Sequence, residues 1–511
     1  MRETASPVET VRLATSRERP LGRGPYAGRP EVVALLGVLA LGVALRAALL
    51  RSSLGALNSD EATVGLMAER ILRGDVPLVV AGNTYGGTLE AFLLAPILAS
   101  TGASAMALKV TFTLLWLLAS GVLYLVATSL LGRRPAIVLA GVLWVFSFSM
   151  ALLSIRPYPG YSSGVVGCLV ALLLMLREVM PDHAARSSGI VRDRVLLGFA
   201  TGLTVWFHPM HVAFLLPGHV FILLRQRRQL RSWILLNAIG GFVGFLPMAM
   251  LVLRDGMAAL ELPAQTPSTY ASRLLGFFRE LLPRLVSLQS QDGEWTGAGL
   301  GTALFLAALL GFAAALLRLQ RGSPPEQLVA WIAIAFPFVM ASFSTSYFYA
   351  DARYGIAYAP VILLVLGLIA AQRMAGRHPP PWALFVVPFL WFALFCSPLS
   401  ASAIGSSPIG GPDAEITPLA SALESWGVTE VHADYWIAYR LAFLDKGDLV
   451  ATPLNNIRFE DDDRRVRAAG AAAGYVVFAD DLHDSAFMSS LTSHQRRVVG
   501  RFAVYVPVPG G

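Results

Sequence analysis

The acidic pair Asp60–Glu61, in "LNSDEATVGLMAERILRG", stands where a carboxylate could do chemistry. Asn58 followed by Glu61 spells a helix N-cap with its reciprocal partner, and Gly74 marks the stop. That pattern accounts for Glu61. On helical spacing, Asp60 aligns with Val64, Met67 and Ile71 and heads the apolar stripe, while Glu61 points about 100° away. A carboxylate on the face that turns toward membrane or protein is costly, and such groups point to function. The positive end of the helix dipole favours its ionised form. Ionised, it could accept a proton as a general base.

Further polar groups recur at the ends of apolar runs. "NTYGGTLEAFLLAP" carries Tyr85 and Glu90 around a Gly turn that leads into a helix capped by Thr88. "RPYPGYSSG" carries Arg156, Tyr158 and Tyr161, either substrate contacts or an aromatic belt with a loop arginine. "WFHPMH" places His208 at a break made by Pro209, as a ligand-facing or a structural histidine. "YADARYGIAYAP" holds Asp351 and Arg353. These could form a local ion pair, but a guanidinium fork also matches a phosphate. Lys109 adds a cation near the start of an apolar run. In the tail, "YVVFADDLHDSAF" gathers Asp480, Asp481, His483 and Asp484, residue types that bind metals. Neighbours along one turn rarely converge on one ion, so a strand-to-helix turn with carboxylate caps is the expectation there.

The elements that must position these groups are membrane helices. The chain has 511 residues, 55% hydrophobic and only 14% charged, with a mean hydropathy of +0.60. A soluble protein would carry about 25% charged residues. The apolar residues come in runs of roughly 20, the length that crosses a bilayer. The net charge of +7 does not point to nucleic acid, because the arginines sit between apolar runs as the positive-inside rule requires. Cys168 and Cys396 lie inside such runs, which argues against a disulfide framework. The basic segment 1–30 (Arg2, Arg12, Arg17, Arg19, Arg23, Arg29) precedes an apolar run too long for a signal peptide, so an uncleaved anchor is expected.

Assigning sides by Lys and Arg gives about eleven spans, with a cytoplasmic N-terminus and the Asp60, Tyr158, His208 and Arg353 segments all outside. The fold expected is mainly α: a polytopic bundle over residues 31–399, amphipathic helices in the first outer loop, and an exported α/β domain over 400–511. Strand-like "VTEVHA", "YVVFA" and "RFAVYVPV" alternate with helix-like stretches in that tail. It is expected to cover the outer mouth of the membrane site or to help recognise an acceptor, and to make no bonds itself.

"SDEA" in the first outer loop, then "YGGTLE", "FHP" and a late "DARY", resemble the GT-C superfamily of membrane glycosyltransferases. The similarity is to the protein O-mannosyltransferase and aminoarabinose transferase family, over about residues 30–375. The resemblance implies inverting transfer from a polyprenyl-phosphate sugar to an extracytoplasmic lipid, glycan or protein in cell-envelope synthesis. It implies a multi-pass protein of the inner (plasma) membrane. The long soluble insertions of the eukaryotic mannosyltransferases are missing, which weakens the case for a protein acceptor. The catalytic position falls on Asp60, with Glu61 beside it, and Arg353 matches a late-loop arginine that could hold the carrier phosphate. Arg156, Lys109, Tyr85 and Glu90 complete the expected donor site, with His208, Tyr158, Tyr161 and Asp351 as further substrate-site candidates. A monophosphate leaving group can be handled by side-chain cations, so a divalent metal is compatible but not required. Two other readings stay open on sequence: a transporter or flippase of lipid-linked sugars, and a polysaccharide polymerase or ligase with a diphosphate-linked donor.

Overall fold

The computed structural model describes residues 29–508 except 181–188, 257–267, 291, 297–298, 344–350, 375–378, 397–400, 403, 406–409 and 446–448. The basic segment 1–28 and parts of the expected linker around 400–412 lie outside the described residues.

The apolar runs fold as helices. In chain order they are α1 (Arg29–Arg51), α2 (Ser59–Leu72), α3 (Leu89–Thr101), α4 (Ala105–Leu131), α5 (Arg133–Trp144) and α6 (Phe148–Leu153). Next come α7 (Tyr161–Val179), α8 (Ile190–Phe207), α9 (Val212–Arg225), α10 (Leu230–Gly244), α11 (Leu246–Asp255), α12 (Tyr270–Gly276) and α13 (Leu282–Leu285). The series closes with α14 (Leu300–Leu319), α15 (Pro324–Met340), α16 (Ala359–Arg373) and α17 (Ala383–Phe395). Five helical stretches among the described residues are long and apolar enough to cross a membrane: Glu31–Arg51, Ala105–Leu131, Tyr161–Val179, Leu300–Leu319 and Ala352–Arg373. A bent pair, α10 with α11, adds a sixth.

Two of the apolar runs are broken. The run 135–153 splits between α5 and α6, where the Ser147 side chain accepts the Met150 N–H and donates to the Leu285 carbonyl at 2.8 Å. The run 232–253 bends by 63° at Phe245. Pro247 lies in the first turn of α11 and cannot donate to the preceding turn. In the first loop, α2 is amphipathic, but α3 is apolar nearly all round, with Glu90 its one charged group.

Bilayer lipid offers no hydrophobic drive between helices, so close contact depends on small residues and polar pairs. Helices α8 and α10 meet backbone to backbone: a Cβ on Gly202 would stand 2.1 Å from the Gly241 carbonyl, and one on Gly240 would stand 1.9 Å from the Val195 carbonyl. Two buried arginines of the bundle are held by polar partners. Arg194 meets Glu178 at 3.2 Å, with both side chains nearly inaccessible. Arg46 donates to Ser154 and to the Gly42 and Trp144 carbonyls, and stacks 3.6 Å above the Trp144 ring. The largest core joins α4, α5, α7, α9, α15 and α16 through Trp116, Phe146, Phe214 and Phe336.

After the helices comes a five-stranded sheet in the order β2-β1-β3-β5-β4, with β1 (Glu430–Ala433), β2 (Val450–Pro453), β3 (Gly474–Phe478), β4 (His494–Val499) and β5 (Phe502–Pro507). Strands β2, β1 and β3 are parallel, and β5 and β4 close the sheet antiparallel. Strands β2 and β4 and the helix Tyr435–Leu444 are additional to the sequence expectation. That helix packs on α2, with the Ser59 hydroxyl donating to the Tyr435 carbonyl at 2.5 Å.

Candidate active site

Helix α2 begins as its sequence dictates. The Asn58 side chain accepts the Glu61 N–H at 2.9 Å, and the Glu61 carboxylate accepts the Asn58 N–H at 3.2 Å. This fixes Asp60 in the first turn, with its side chain about a quarter exposed. Asp60 lines a cavity of about 450 Å3 together with Tyr85, Tyr158, Tyr161, His208 and Arg353, which are six of the residues expected from sequence.

Each of the six arrives by a local device. Gly160 puts Tyr158 and Tyr161 in place: it has φ +78°, and a Cβ there would stand 2.0 Å from the Phe207 carbonyl, so only glycine fits. Behind it, the His211 ring bonds the Gly160 carbonyl at 3.0 Å. Where α8 ends, the His208 side chain accepts the Met210 N–H and caps the turn Pro209–His211. The Gly87 N–H donates to the Phe207 carbonyl at 3.0 Å, which draws the first loop alongside. Tyr85 and Tyr161 then flank the His208 ring, at 5.2 and 4.8 Å between centroids. Arg353 enters on the turn Ala352–Tyr358, capped by Asp351. Its guanidinium pairs with Asp351 at 3.1 Å and lies 4.7 Å over Tyr158, 5.1 Å over Tyr354 and 5.9 Å over Tyr161. It is therefore held among phenol rings while it lines the cavity.

The other expected residues lie elsewhere. Lys109 is fully buried and makes a 2.6 Å ion pair with Glu61, whose side chain is also fully buried. Glu61 is therefore more than a cap, and Lys109 is spent on it rather than offered to a phosphate, because a buried cation needs its counter-charge. Glu90 is buried behind the cavity wall and accepts the Gly160 N–H at 2.9 Å and the Ser163 hydroxyl at 2.5 Å. It braces the turn that presents the tyrosines. Thr88 does not cap α3; its hydroxyl donates to the Pro77 carbonyl. Asp351 stands behind Arg353 and Arg156 is half-buried; neither lines the cavity. In the tail, the Asp481 side chain accepts the Asp484 N–H, while buried Asp484 binds Arg496 at 2.6 Å and Tyr505. These carboxylates act within the sheet.

Two lining residues from the C-terminal sheet region, Asn456 and Arg458, were not anticipated, nor was Tyr435, which reaches Asp60 from behind them. Arg458 meets Asp60 Oδ1 at 2.9 Å, and the Tyr435 hydroxyl donates to the same oxygen at 2.5 Å. Nothing in the local sequence ties Arg458 to Asp60. The one signal is position, since loops that follow parallel strands carry ligand-facing groups. Among the described residues, no three His, Cys, Asp or Glu side chains gather into a metal site. Asp60 and His208 are the residues of those types that line the cavity.

No family model and no curated protein matches this chain. Solved structures do. ArnT from Cupriavidus metallidurans bound to undecaprenyl phosphate aligns with a TM-score of 0.63 at 16% identity, covering 94% of this chain and 99% of that one. The same protein in the apo state gives 0.64 at 15% identity, covering 93% and 98%. An Archaeoglobus fulgidus oligosaccharyltransferase in complex with Zn and sulfate gives 0.52 at 14% identity, covering 88% of this chain and 68% of that one. Over nearly its whole length, this chain shares the fold of ArnT, the mainly helical architecture expected from sequence.

Proposed function

We propose that this protein transfers a sugar from a polyprenyl-phosphate carrier to an extracytoplasmic acceptor, with inversion at the anomeric carbon. The observation that carries the reading is the cavity itself: one carboxylate, Asp60, gripped by Arg458, shares an aromatic-walled space with a second guanidinium, Arg353, in an ArnT-like bundle. The likeness to ArnT bound to undecaprenyl phosphate makes a lipid phosphate the donor class of choice.

Asp60 takes the proton from the acceptor's hydroxyl or amine as that atom bonds to the anomeric carbon. The bond from the anomeric carbon to the phosphate oxygen breaks on the opposite face, and the carrier leaves as polyprenyl phosphate. Arg353 meets the charge that develops on it. Tyr85, Tyr158 and Tyr161 offer hydroxyls and ring faces to a sugar. No step is routed through a metal.

On this reading the bundle of residues 31–399 crosses the inner (plasma) membrane about eleven times. Short helices such as α9, α15 and α17 supply crossings, α2 and α3 stay in the first outer loop, the N-terminus is cytoplasmic, and residues 400–511 lie outside. The arginine distribution supports that orientation. The test is mass spectrometry of surface glycans and lipid-linked sugars from cells with and without the protein. Accumulation of a lipid-linked sugar together with loss of one glycan linkage is expected, and no change in either would overturn the reading.

A further inference from the structure

The C-terminal sheet approaches the membrane cavity with one edge. Tyr435 follows the carboxyl end of β1, and Asn456 and Arg458 follow the carboxyl end of β2. In open parallel sheets this edge is where ligand-contacting groups collect. Here it is turned onto Asp60.

Arg458 is stitched to three separate segments. Its Nη2 donates to Asp60 Oδ1 at 2.9 Å, its Nε to the Tyr435 hydroxyl at 2.9 Å, and its Nη1 to the Ala81 carbonyl at 3.1 Å and Asn83 Oδ1 at 3.4 Å. Its backbone N–H donates to the Tyr439 hydroxyl at 2.6 Å. The Tyr435 hydroxyl in turn donates a hydrogen bond to Asp60 Oδ1. Burial first, then the Asp60 charge, pushes that phenol well above its ordinary value, so it stays a donor. Both donors converge on Oδ1 and leave Oδ2 without a hydrogen-bond partner among the described residues, on a side chain that lines the cavity. A carboxylate held by one oxygen keeps the lone pairs of the other for a proton.

We propose that Arg458 and Tyr435 are positioning residues for Asp60, so that the C-terminal sheet region completes the reaction cavity across nearly 400 residues of sequence. The sequence expectation that this region covers the mouth or helps recognise the acceptor is thereby extended: it makes no bond itself, yet it sets which carboxylate oxygen faces the acceptor. The proposal rests on the reading of Asp60 as general base.

An interdomain latch would use the same contacts, so the test must separate the two. Arg70 provides the control. It pairs with Asp462 at 3.0 Å and lies 4.4 Å over Phe459, joining α2 to the same region away from the cavity. Arg458→Gln, Arg458→Lys, Tyr435→Phe and Arg70→Gln would be purified in the full chain, checked for folding by thermal melting, and assayed with lipid-linked sugar extracted from the protein's own cells. Arg458→Gln should lower kcat about a hundredfold at little change in donor KM, the scale of a misplaced reacting group. Tyr435→Phe should lower it about tenfold, the scale of one charge-assisted hydrogen bond. Arg458→Lys should recover part of the loss, and Arg70→Gln should match the parent.

The decisive arm repeats Arg458→Gln in an Asp60→Glu background, where the carboxylate stands one methylene beyond the grip. There the loss should shrink to less than about threefold, as expected for residues that act through one another. An undiminished loss in that background, or an Arg70→Gln defect equal to that of Arg458→Gln, would overturn the proposal. If Asp60→Asn itself retains full turnover, the general-base reading fails instead, and Arg458 is then judged on the kcat and KM split alone.

Discussion

Arg353→Lys keeps a charge and loses a fork. The guanidinium is held among three phenol rings and by Asp351, an arrangement an ammonium cannot reproduce. If Arg353 grips the leaving phosphate, the Lys variant should lose at least about tenfold in kcat/KM in a transfer assay; full activity would reduce its role to a diffuse field. Glu61 carries the opposite kind of prediction. Its partner Lys109 has no access to solvent, so Glu61→Gln leaves a buried cation without its counter-charge. Such breaks cost about 3–5 kcal/mol, and the loss should appear in thermal melting of the detergent-solubilised protein rather than in kcat. That pair was half legible in the sequence. A lysine within an apolar helix calls for a carboxylate, but the capping box already explained Glu61, and its second partner was hidden.

The elements were legible where a local rule decides them. The N-cap of α2 follows from Asn58 and Glu61, and the break between α8 and α9 follows from Pro209. Where tertiary contacts decide, the sequence was silent. The α5–α6 break depends on Ser147 reaching Leu285, and the grip on Asp60 comes from Arg458, far along the chain. The cavity wall itself depends on Gly160. Gly160→Ala combines a positive φ with a Cβ driven into the Phe207 carbonyl. The variant should lose about 1–3 kcal/mol of stability and should also lose transfer, because Tyr158 and Tyr161 move with that turn. Unchanged melting and unchanged transfer would show that the loop is not held as described.

For the whole molecule, the segments bearing Asp60, Tyr158, His208, Arg353 and Arg458 must share one side of the membrane, since their side chains share or adjoin one cavity. On the proposed orientation, which the arginine pattern supports, that side is outside. Reporter fusions after Arg321 and after Pro412 should therefore report opposite compartments, and matching signals would contradict the topology. The sequence carried the apolar helices because bilayer insertion is read from local composition. It could not carry the docking of the C-terminal sheet, which no periodicity records.

The central claim is that Asp60 removes the acceptor's proton. Asp60→Asn preserves shape and removes the base, and it is best measured in purified protein reconstituted in vesicles with its lipid-linked sugar. The expected result is folded protein whose acceptor glycosylation and polyprenyl-phosphate release fall together by at least about a hundredfold. Folded Asp60→Asn protein that turns over like the parent would contradict it.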